Sequence, residues 1–336
     1  MDCERSPDIQ ISHIVKVCEL KPSQSITVYL SSEYNRKIPD FLHVNMIIEE
    51  DIRIQTDSDS SSIATVISDT DYHDLRTTDL DRIERIWIER LQQNPSLFNG
   101  TKFRVHHVTS TDDGDRVIMY LGITDYKEYL GTNWAPNVKN LQQKGIEIHG
   151  NSQAFLSDAL GVGASVVTED NFLVLLWRSK HCAEAPSMWD VPGGHAEPKK
   201  LVGNKLLKEI DVSSMDRSAV VDEIFDSIVQ EVIDEVNIPR RYLEKPLYMG
   251  THRNNTSAGR PSLAFYIRCC ISSEDVRVLY KQGNQQEADE STNITFVPLN
   301  EVASLDTQNK DLWNHLAPSA KGNLTIFSVV HGFKKP

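Results

Sequence analysis

Apolar and polar residues in the first 150 positions follow the patterns of short strands and one amphipathic helix. Strands are predicted where β-branched and aromatic residues cluster, at residues 26–30, 41–48, 102–108 and 116–123. Residues 80–93 carry apolar side chains at helical spacing, and Pro95 then prevents the helix from continuing. Polar residues 57–62 and 112–115 predict a loop and a hairpin turn. This region therefore predicts a small α/β lobe over residues 1–150.

The pattern changes near residue 151, where longer apolar runs begin. Strands are predicted at residues 163–168, 172–177, 188–191, 247–251, 263–271 and 294–298. A helix is predicted over residues 218–236, because its apolar side chains recur on one face. Asn237 suits the left-handed position after the last helical turn, and Pro239 prevents continuation. Strands with helices on both sides predict an α/β/α sandwich over residues 151–336.

Composition and charge narrow the possible functions. Lysine and arginine number 35 against 48 acidic residues, so the formal net charge of −13 argues against a nucleic-acid-binding surface. Five cysteines, an odd number without a CxxC pair, favour a reducing compartment over a disulfide framework. The charged first ten residues do not resemble a signal peptide, and no apolar run is long enough to span a bilayer. We therefore expect a cytoplasmic protein with neither a membrane nor an obligate protein partner.

The most informative stretch is the acidic end of the predicted helix over residues 218–236. Glu231 and Glu235 are four residues apart, which places both carboxylates on one helix face, where they repel each other. A divalent cation between them removes that repulsion, and such hard oxygen ligands suit Mg²⁺. The alternative is a solvated acidic helix face, and the pair alone does not decide between the two interpretations.

The residues before the helix favour the metal site. A glycine-rich turn at residues 191–198 precedes Gln230 and the acidic residues, and this arrangement resembles the Nudix box over about residues 193–238. Three residues depart from the family pattern, because Gln230 replaces an arginine, Asp234 a glutamate and Asn237 a glycine. An insertion at about residues 199–215, predicted to be a polar surface excursion, lengthens the box. The chain is thus similar to Nudix hydrolases, which implies a Nudix α/β/α sandwich with an additional N-terminal lobe.

Ordered blocks outside the box narrow the resemblance to one branch of that family. GTNWAP, SDALGVGA, DVPGGHAEP, RNNTSAGR and PSAKG resemble the vertebrate-type UDP-glucose/UDP-galactose diphosphatases, from about residue 80 to residue 332. The resemblance implies hydrolysis of UDP-sugars, the small-molecule partner, to UMP and hexose 1-phosphate. It also implies Mg²⁺, or Mn²⁺ in its place, held by Glu231 and Glu235 as catalytic metal ligands. Asp234 is a third catalytic candidate.

The resemblance also assigns the substrate-binding residues. It implies substrate contacts for Phe98, Tyr126 and Ser319. The side chains of Arg178, Asp190, His195 and Glu197 and the backbone at Ala183 are further substrate-binding candidates, because they lie in or near the glycine-rich turn or at the predicted mouth of the site, and Glu197 is alternatively a metal ligand. The aromatic rings of Phe98 and Tyr126 are the candidates for stacking on uracil. Most of these residues also have a structural interpretation: core aromatics for the two rings, a surface arginine for Arg178, turn stabilisation for His195 and Glu197, and turn or helix caps for Asp190 and Ser319.

Several questions stay open at the level of sequence. Glu287, Glu290 and Asp234 are alternative general bases, and Arg253 and Arg260 are further candidates for phosphate contacts. The box helix does not determine the substrate, so ADP-ribose or CoA derivatives are alternatives. A protein that binds nucleotide sugars without cleaving them is another, motivated by Gln230 in place of the arginine. No replacement for that arginine is evident from the sequence.

Overall fold

The structure is a computed structural model, and it describes residues 9–14, 26–31, 33, 35–37, 79–95, 97–110 and 117–331. The strand predicted at residues 41–48, the loop at 57–62 and the hairpin turn at 112–115 lie outside the described residues. The strands are β1 Ile9–Ile14, β2 Ile26–Leu30, β3 Thr101–Ser110, β4 Val117–Asp125, β5 Gly161–Val167, β6 Phe172–Arg178, β7 Trp189–Asp190, β8 Gly193–His195, β9 Leu247–Asn254, β10 Arg260–Arg268 and β11 Ser291–Pro298.

The helices alternate with these strands. They are α1 Asp79–Gln93, α2 Tyr126–Thr132, α3 Val138–His149, α4 Lys199–Val202, α5 Arg217–Val236, α6 Ser273–Lys281, α7 Leu299–Val302, α8 Leu305–Gln308, α9 Lys310–Asn314 and α10 Pro318–Val330. Among the described residues, no helix is both long and apolar enough to cross a membrane.

A large mixed sheet forms the centre of the molecule. Its strands lie in the order β1-β9-β10-β5-β6-β11, with β7 paired to β6 and β8 paired to β5. The pairing of β5 with β10 is parallel, and the other pairings in this sheet are antiparallel. All seven residues of β5 are buried, as expected for a strand covered on both faces. The helix α5 packs on one face through Ile228 and Val232, and α10 packs on the other through Leu324 and Phe327. The predicted α/β sandwich is therefore confirmed.

A smaller sheet of β2, β4 and β3 lies in the first part of the chain. Its buried side chains, among them Phe103, Met119 and Leu121, belong to the same apolar cluster as α5 and the large sheet. The strand β1 pairs with β9 of the large sheet although it belongs to the first 150 residues. A boundary near residue 150 stays a prediction, but the two sheets share one continuous core and both draw strands from this region.

The long helix α5 begins and ends where its sequence predicts. The carboxylate of Asp216 accepts a hydrogen bond from the amide of Ala219 and caps the first turn. Asn237 has φ of 65° and ψ of 27°, the left-handed conformation that ends the helix. The predicted span of residues 218–236 is confirmed to within one residue.

The insertion at residues 199–215 differs from its prediction as a polar surface excursion. Its first half contains α4 and exposed residues such as Leu206, which is 61% exposed. Its second half turns inward, and Ile210, Val212 and Met215 are buried in the main core cluster. The prediction of a surface segment was wrong for this half. Its three buried apolar residues are separated by polar residues, so the sequence shows no continuous apolar run there.

Candidate active site

The glycine-rich turn lies between the large sheet and α5. Gly193 pairs with Gly163 of β5, and a Cβ atom at Gly193 would overlap the carbonyl oxygen of Val162. A Cβ atom at Gly194 would overlap the carboxylate of Glu231. Both glycines are therefore required by close approach, one to a strand and the other to the acidic end of the helix.

Backbone amides of this turn hold the two helix carboxylates. The amide of Gly193 donates to Oε2 of Glu235 at 2.8 Å, and the amide of His195 donates to Oε1 of Glu231 at 3.3 Å. Gln230, at the position of the family's arginine, donates instead to Oδ1 of Asp234 at 2.8 Å. The turn therefore orients Glu231 and Glu235 without an arginine, which answers the question left open by the sequence.

A loop after α6 adds further carboxylates to the same place. Carboxylate oxygens of Glu235, Glu287 and Glu290 lie within 4.8 Å of one another. The loop is held by the amide of Glu287, which donates to the carbonyl of Asp234 at 3.0 Å, and by the amide of Ser179, which donates to the carbonyl of Glu290 at 2.8 Å. Carboxylates alone form this group, a donor set that suits Mg²⁺ or Mn²⁺. The residues present therefore fit a divalent cation.

Protonation of these carboxylates reflects their crowding. Burial, followed by the charge of Glu287, raises the pKa of Glu231 to about 8. Burial and the charge of Glu290 raise the pKa of Glu287 to about 7. The pKa of Glu235 is raised well above its usual value by burial and by Glu231. Carboxylates that repel one another in this way lose the repulsion when a cation binds among them.

A cleft of about 510 Å³ extends from this acidic group towards the N-terminal lobe. Phe98 is 70% exposed at the cleft, which excludes the interpretation of its ring as a core aromatic. Tyr126, the first residue of α2, is half-buried, and its ring packs edge-on against Trp87 at a centroid distance of 6.3 Å. The cleft thus has an aromatic end and an acidic end.

A smaller inner cavity of about 70 Å³ lies behind the glycine-rich turn. The hydroxyl of Ser319 donates to the carboxylate of Asp190 at 2.9 Å, and Arg178 lies 3.7 Å from the same carboxylate. His252 is fully buried there, and neither of its ring nitrogens has a hydrogen-bond partner among the described residues. Burial, followed by the charge of Arg260, lowers the pKa of His252 to about 3. The cavity therefore offers cationic, anionic and uncharged polar groups in a confined space.

One ion pair and several hydrogen bonds hold the loop that carries Ala183 beside the cleft. Glu184 accepts hydrogen bonds from Asn254 and Ser257, both at 2.9 Å, and lies 3.2 Å from Arg260. Arg178 donates from Nε to the carbonyl of Glu184 at 3.0 Å. This network fixes the loop between the large sheet and the inner cavity.

The structure brings most of the predicted site residues together. Those that line the cleft are Phe98, Tyr126, Arg178, Ala183, His195, Glu197 and Glu231. Asp190 and Ser319 line the inner cavity, together with Arg178 and His195. Glu235 belongs to the carboxylate group. Asp234 bonds to Gln230 and is not among the described residues that line either space.

The two predicted arginines have different locations. Arg260 is buried beside His195 and Glu184 and lines the inner cavity. Arg253 instead lies 3.7 Å from the carboxylate of Asp158 and donates to the carbonyl of Gly259, and it lines neither space.

Sequence reasoning did not select Lys102, Glu184 or His252 as site residues. Lys102 lies on β3 and lines the cleft with its amine 3.4 Å from Glu197. Its one sequence signal is a charged residue in an alternating strand that also carries Arg104, which does not by itself specify a binding site. Burial lowers the pKa of Lys102, against the opposing charge of Glu197.

Sequence comparison shows which family these features belong to. Uridine diphosphate glucose pyrophosphatase NUDT22 of Homo sapiens is 44% identical over 255 residues, covering 75% of this chain and 82% of that protein. The protein of the same name from Mus musculus is 44% identical over 248 residues, covering 73% and 79%. Nudix hydrolase 9 of Arabidopsis thaliana is 33% identical over 241 residues, covering 68% and 75%. No model of a protein family matches the chain. Since relatives above 30% identity match over at least three quarters of their own length, this chain belongs to the Nudix hydrolase family.

Proposed function

We propose that this protein hydrolyses the pyrophosphate of UDP-sugars, such as UDP-glucose and UDP-galactose, to UMP and hexose 1-phosphate. The observation that carries the proposal is the cluster of carboxylates formed by Glu235, Glu287 and Glu290. It lies at one end of a cleft whose other end is lined by Phe98 and Tyr126. The 44% identity to uridine diphosphate glucose pyrophosphatases supports the same substrate class. Nudix hydrolases use a divalent metal ion, and we propose Mg²⁺, with Mn²⁺ as a substitute.

The acidic group explains why a cation is needed. A pyrophosphate is negatively charged and would be repelled by Glu231, Glu235, Glu287 and Glu290. A divalent ion held by these carboxylates would neutralise phosphate charge and stabilise the charge that develops during hydrolysis. The backbone amides of Gly193 and His195 hold Glu235 and Glu231 in position for that ion.

The two ends of the site suit the two ends of the substrate. Phe98 presents an exposed ring for uracil, and stacking of this kind contributes roughly 1–3 kcal/mol per base. The inner cavity presents Asp190, Ser319 and a neutral His195 to sugar hydroxyls. The pKa of His195 is lowered well below its usual value by burial and by Lys102, so its ring acts without a positive charge at neutral pH.

The reaction itself adds one water molecule across a phosphoanhydride bond. The water oxygen bonds to one phosphorus, the bond from that phosphorus to the bridging oxygen breaks, and the bridging oxygen leaves with the other phosphate. A carboxylate of the acidic group accepts the proton of the water. We propose that this carboxylate is Glu287 or Glu290 of the loop. The rates of hydrolysis by Glu287→Gln and Glu290→Gln distinguish between the two.

A substrate panel tests the proposal. Purified protein is incubated with UDP-glucose, UDP-galactose, ADP-ribose and CoA, with Mg²⁺ or Mn²⁺, and products are identified by anion-exchange chromatography. We expect UMP and hexose 1-phosphate from the UDP-sugars, and their loss in Glu231→Gln. Asp222→Asn, an exposed acidic residue on the same helix, is the matched control. Cleavage of ADP-ribose or CoA with UDP-glucose untouched would overturn the assignment, and so would UDP-glucose binding without hydrolysis.

A further inference from the structure

We propose that Lys102 is the cation with which the N-terminal lobe binds the phosphate adjoining the nucleoside, so that both lobes build the phosphate site. The identity of the phosphate as part of a nucleotide sugar rests on the proposed function above. The lysine itself is not among the residues assigned to the substrate by resemblance.

Few positively charged side chains line the cleft. Among the described residues that line it, two carry lysine or arginine side chains, Lys102 and Arg178. Arg178 is directed towards the inner cavity, where its guanidinium contacts the carbonyl of Glu184 and the carboxylate of Asp190. Lys102 is therefore the buried cation available to an anion between the aromatic end and the acidic end, whereas Lys199, near the Phe98 ring, is exposed.

Strand geometry places the lysine amine at that point. Phe103 and Val105 of β3 face the apolar core, so Lys102 projects from the opposite face of the strand. Its amine reaches Glu197 of the glycine-rich turn at 3.4 Å. A Cβ atom at Gly100, two residues earlier, would lie 3.3 Å from Glu197 and 3.7 Å from the Phe98 ring. Lys102 thus meets Glu197 of the glycine-rich turn beside the candidate uracil platform.

The ion pair with Glu197 does not by itself account for this lysine. Glu197 already has Lys199 at 2.6 Å, and that lysine is 37% exposed and keeps contact with water. Lys102 is 9% exposed, so holding its charge there costs desolvation that a single shared carboxylate at 3.4 Å compensates poorly. A phosphate oxygen entering the cleft supplies a stronger, charge-assisted hydrogen bond to the same amine.

Two lysines that share one carboxylate provide the variant and its matched control. Lys102→Met, Lys102→Gln, Lys102→Arg and Lys199→Met are compared with the unaltered protein by isothermal titration calorimetry and NMR titration. The probes are inorganic pyrophosphate with Mg²⁺, UMP, and uridine, which lacks phosphate. The affinity for Mg²⁺ alone and the thermal midpoint are measured for each variant.

We expect Lys102→Met and Lys102→Gln to weaken binding of Mg²⁺-pyrophosphate and UMP about tenfold to hundredfold, the range for a lost hydrogen bond between charged groups. Uridine binding should stay within about twofold, because stacking needs no phosphate. Lys102→Arg should restore part of the loss. Lys199→Met should change pyrophosphate binding by less than about threefold, since an exposed ion pair contributes little. Its amine lies 5.8 Å from the centre of the Phe98 ring, so pyrophosphate and not uridine or UMP is the probe for this control.

Unchanged pyrophosphate and UMP affinities in Lys102→Gln, with a lowered thermal midpoint, would show a purely structural ion pair and overturn the proposal. Equal weakening of uridine would overturn it as well, because the variant would then have disturbed the nucleoside end. The pyrophosphate measurement does not require UDP-sugar cleavage. A protein that fails to cleave UDP-glucose yet loses pyrophosphate affinity on Lys102→Met would contradict the proposed function and support this inference.

Discussion

At the scale of single residues, Glu231 and Glu235 are held in place although Gln230 stands where the family pattern has an arginine. The amide groups of Gly193 and His195 bond to the two helix carboxylates, and Gln230 itself bonds to Asp234. Sequence predicted Glu231 and Glu235 because side-chain spacing on a helix is regular. It did not predict the amides, because their direction depends on the path of a turn packed against β5.

Substitution of the two adjacent glycines of the turn should have different effects, one on metal affinity and the other on stability. Gly194→Ala pushes against the end of the flexible Glu231 side chain, so we expect little loss of stability but a fall of about tenfold in metal affinity. Gly193→Ala pushes against the backbone of β5, so we expect a loss of about 1–3 kcal/mol in the free energy of unfolding. Urea unfolding and Mn²⁺ titration by electron paramagnetic resonance measure the two effects. Equal metal affinities in Gly194→Ala and the unaltered protein would contradict the role given to Glu231.

His252 predicts a specific dependence of stability on pH. Its folded-state pKa of about 3 lies below the value of about 6.5 expected in the unfolded chain. The folded state therefore binds fewer protons, and stability is lost as the pH falls below about 6.5. Between pH 7.5 and pH 5.0 this one residue accounts for about 2 kcal/mol of that loss.

His252→Leu removes the titrating group, so its stability should fall less over that interval than the stability of the unaltered protein. Urea unfolding at pH 7.5 and pH 5.0 gives the difference within each protein, which cancels any change in absolute stability caused by the substitution. The denaturant m-values serve as the control for an altered unfolded state. Identical pH-dependent losses in the two proteins would disprove the effect.

At the scale of elements, local signals predicted α5 well and the insertion poorly. Asp216 and Asn237 are capping residues whose preferences act within a few residues of chain, so the helix bounds follow from sequence. The burial of Ile210, Val212 and Met215 depends instead on where the insertion meets the core. The same reason explains why Glu287 and Glu290 were identified only as alternatives. Their loop joins α5 through backbone contacts between distant parts of the chain.

The anchored half of the insertion should respond to substitution as a core does. Val212 is 1% exposed, and Val212→Ala removes two methyl groups from a packed site, so we expect a loss of about 2 kcal/mol in the free energy of unfolding. Leu206→Ala, in the exposed half of the same insertion, should change it by less than about 0.5 kcal/mol. Chemical unfolding of both variants measures the contrast. Equal and small effects would mean that the insertion lies on the surface throughout.

At the scale of the whole molecule, the two sheets share a core that neither closes alone. Side chains of the small sheet, including Met119 and Leu121, lie in one cluster with those of α5 and the large sheet. The helix α5 therefore carries Glu231 and Glu235 while it packs against both sheets. The fold class followed from the order of strands and helices, but the sharing of the core did not, because apolar periodicity shows that a face is buried and not what buries it.

A shared core predicts one cooperative unfolding transition. Met119 is fully buried in the small sheet, so Met119→Ala should cost about 2–5 kcal/mol. That cost should appear in the unfolding of the large sheet as well, because both sheets lose the same packing. Near-ultraviolet circular dichroism measures the loss of tertiary structure in the whole protein. Tryptophan fluorescence measures one region at a time in variants that keep a single tryptophan and have phenylalanine at the other tryptophan positions. Trp177 on β6 reports the large sheet and Trp87 on α1 the small lobe. Coincident transitions at both tryptophans, displaced together by Met119→Ala, are the expected result. If the Trp87 transition shifted while the Trp177 transition stayed in place, the lobes would unfold separately and the core would not be continuous.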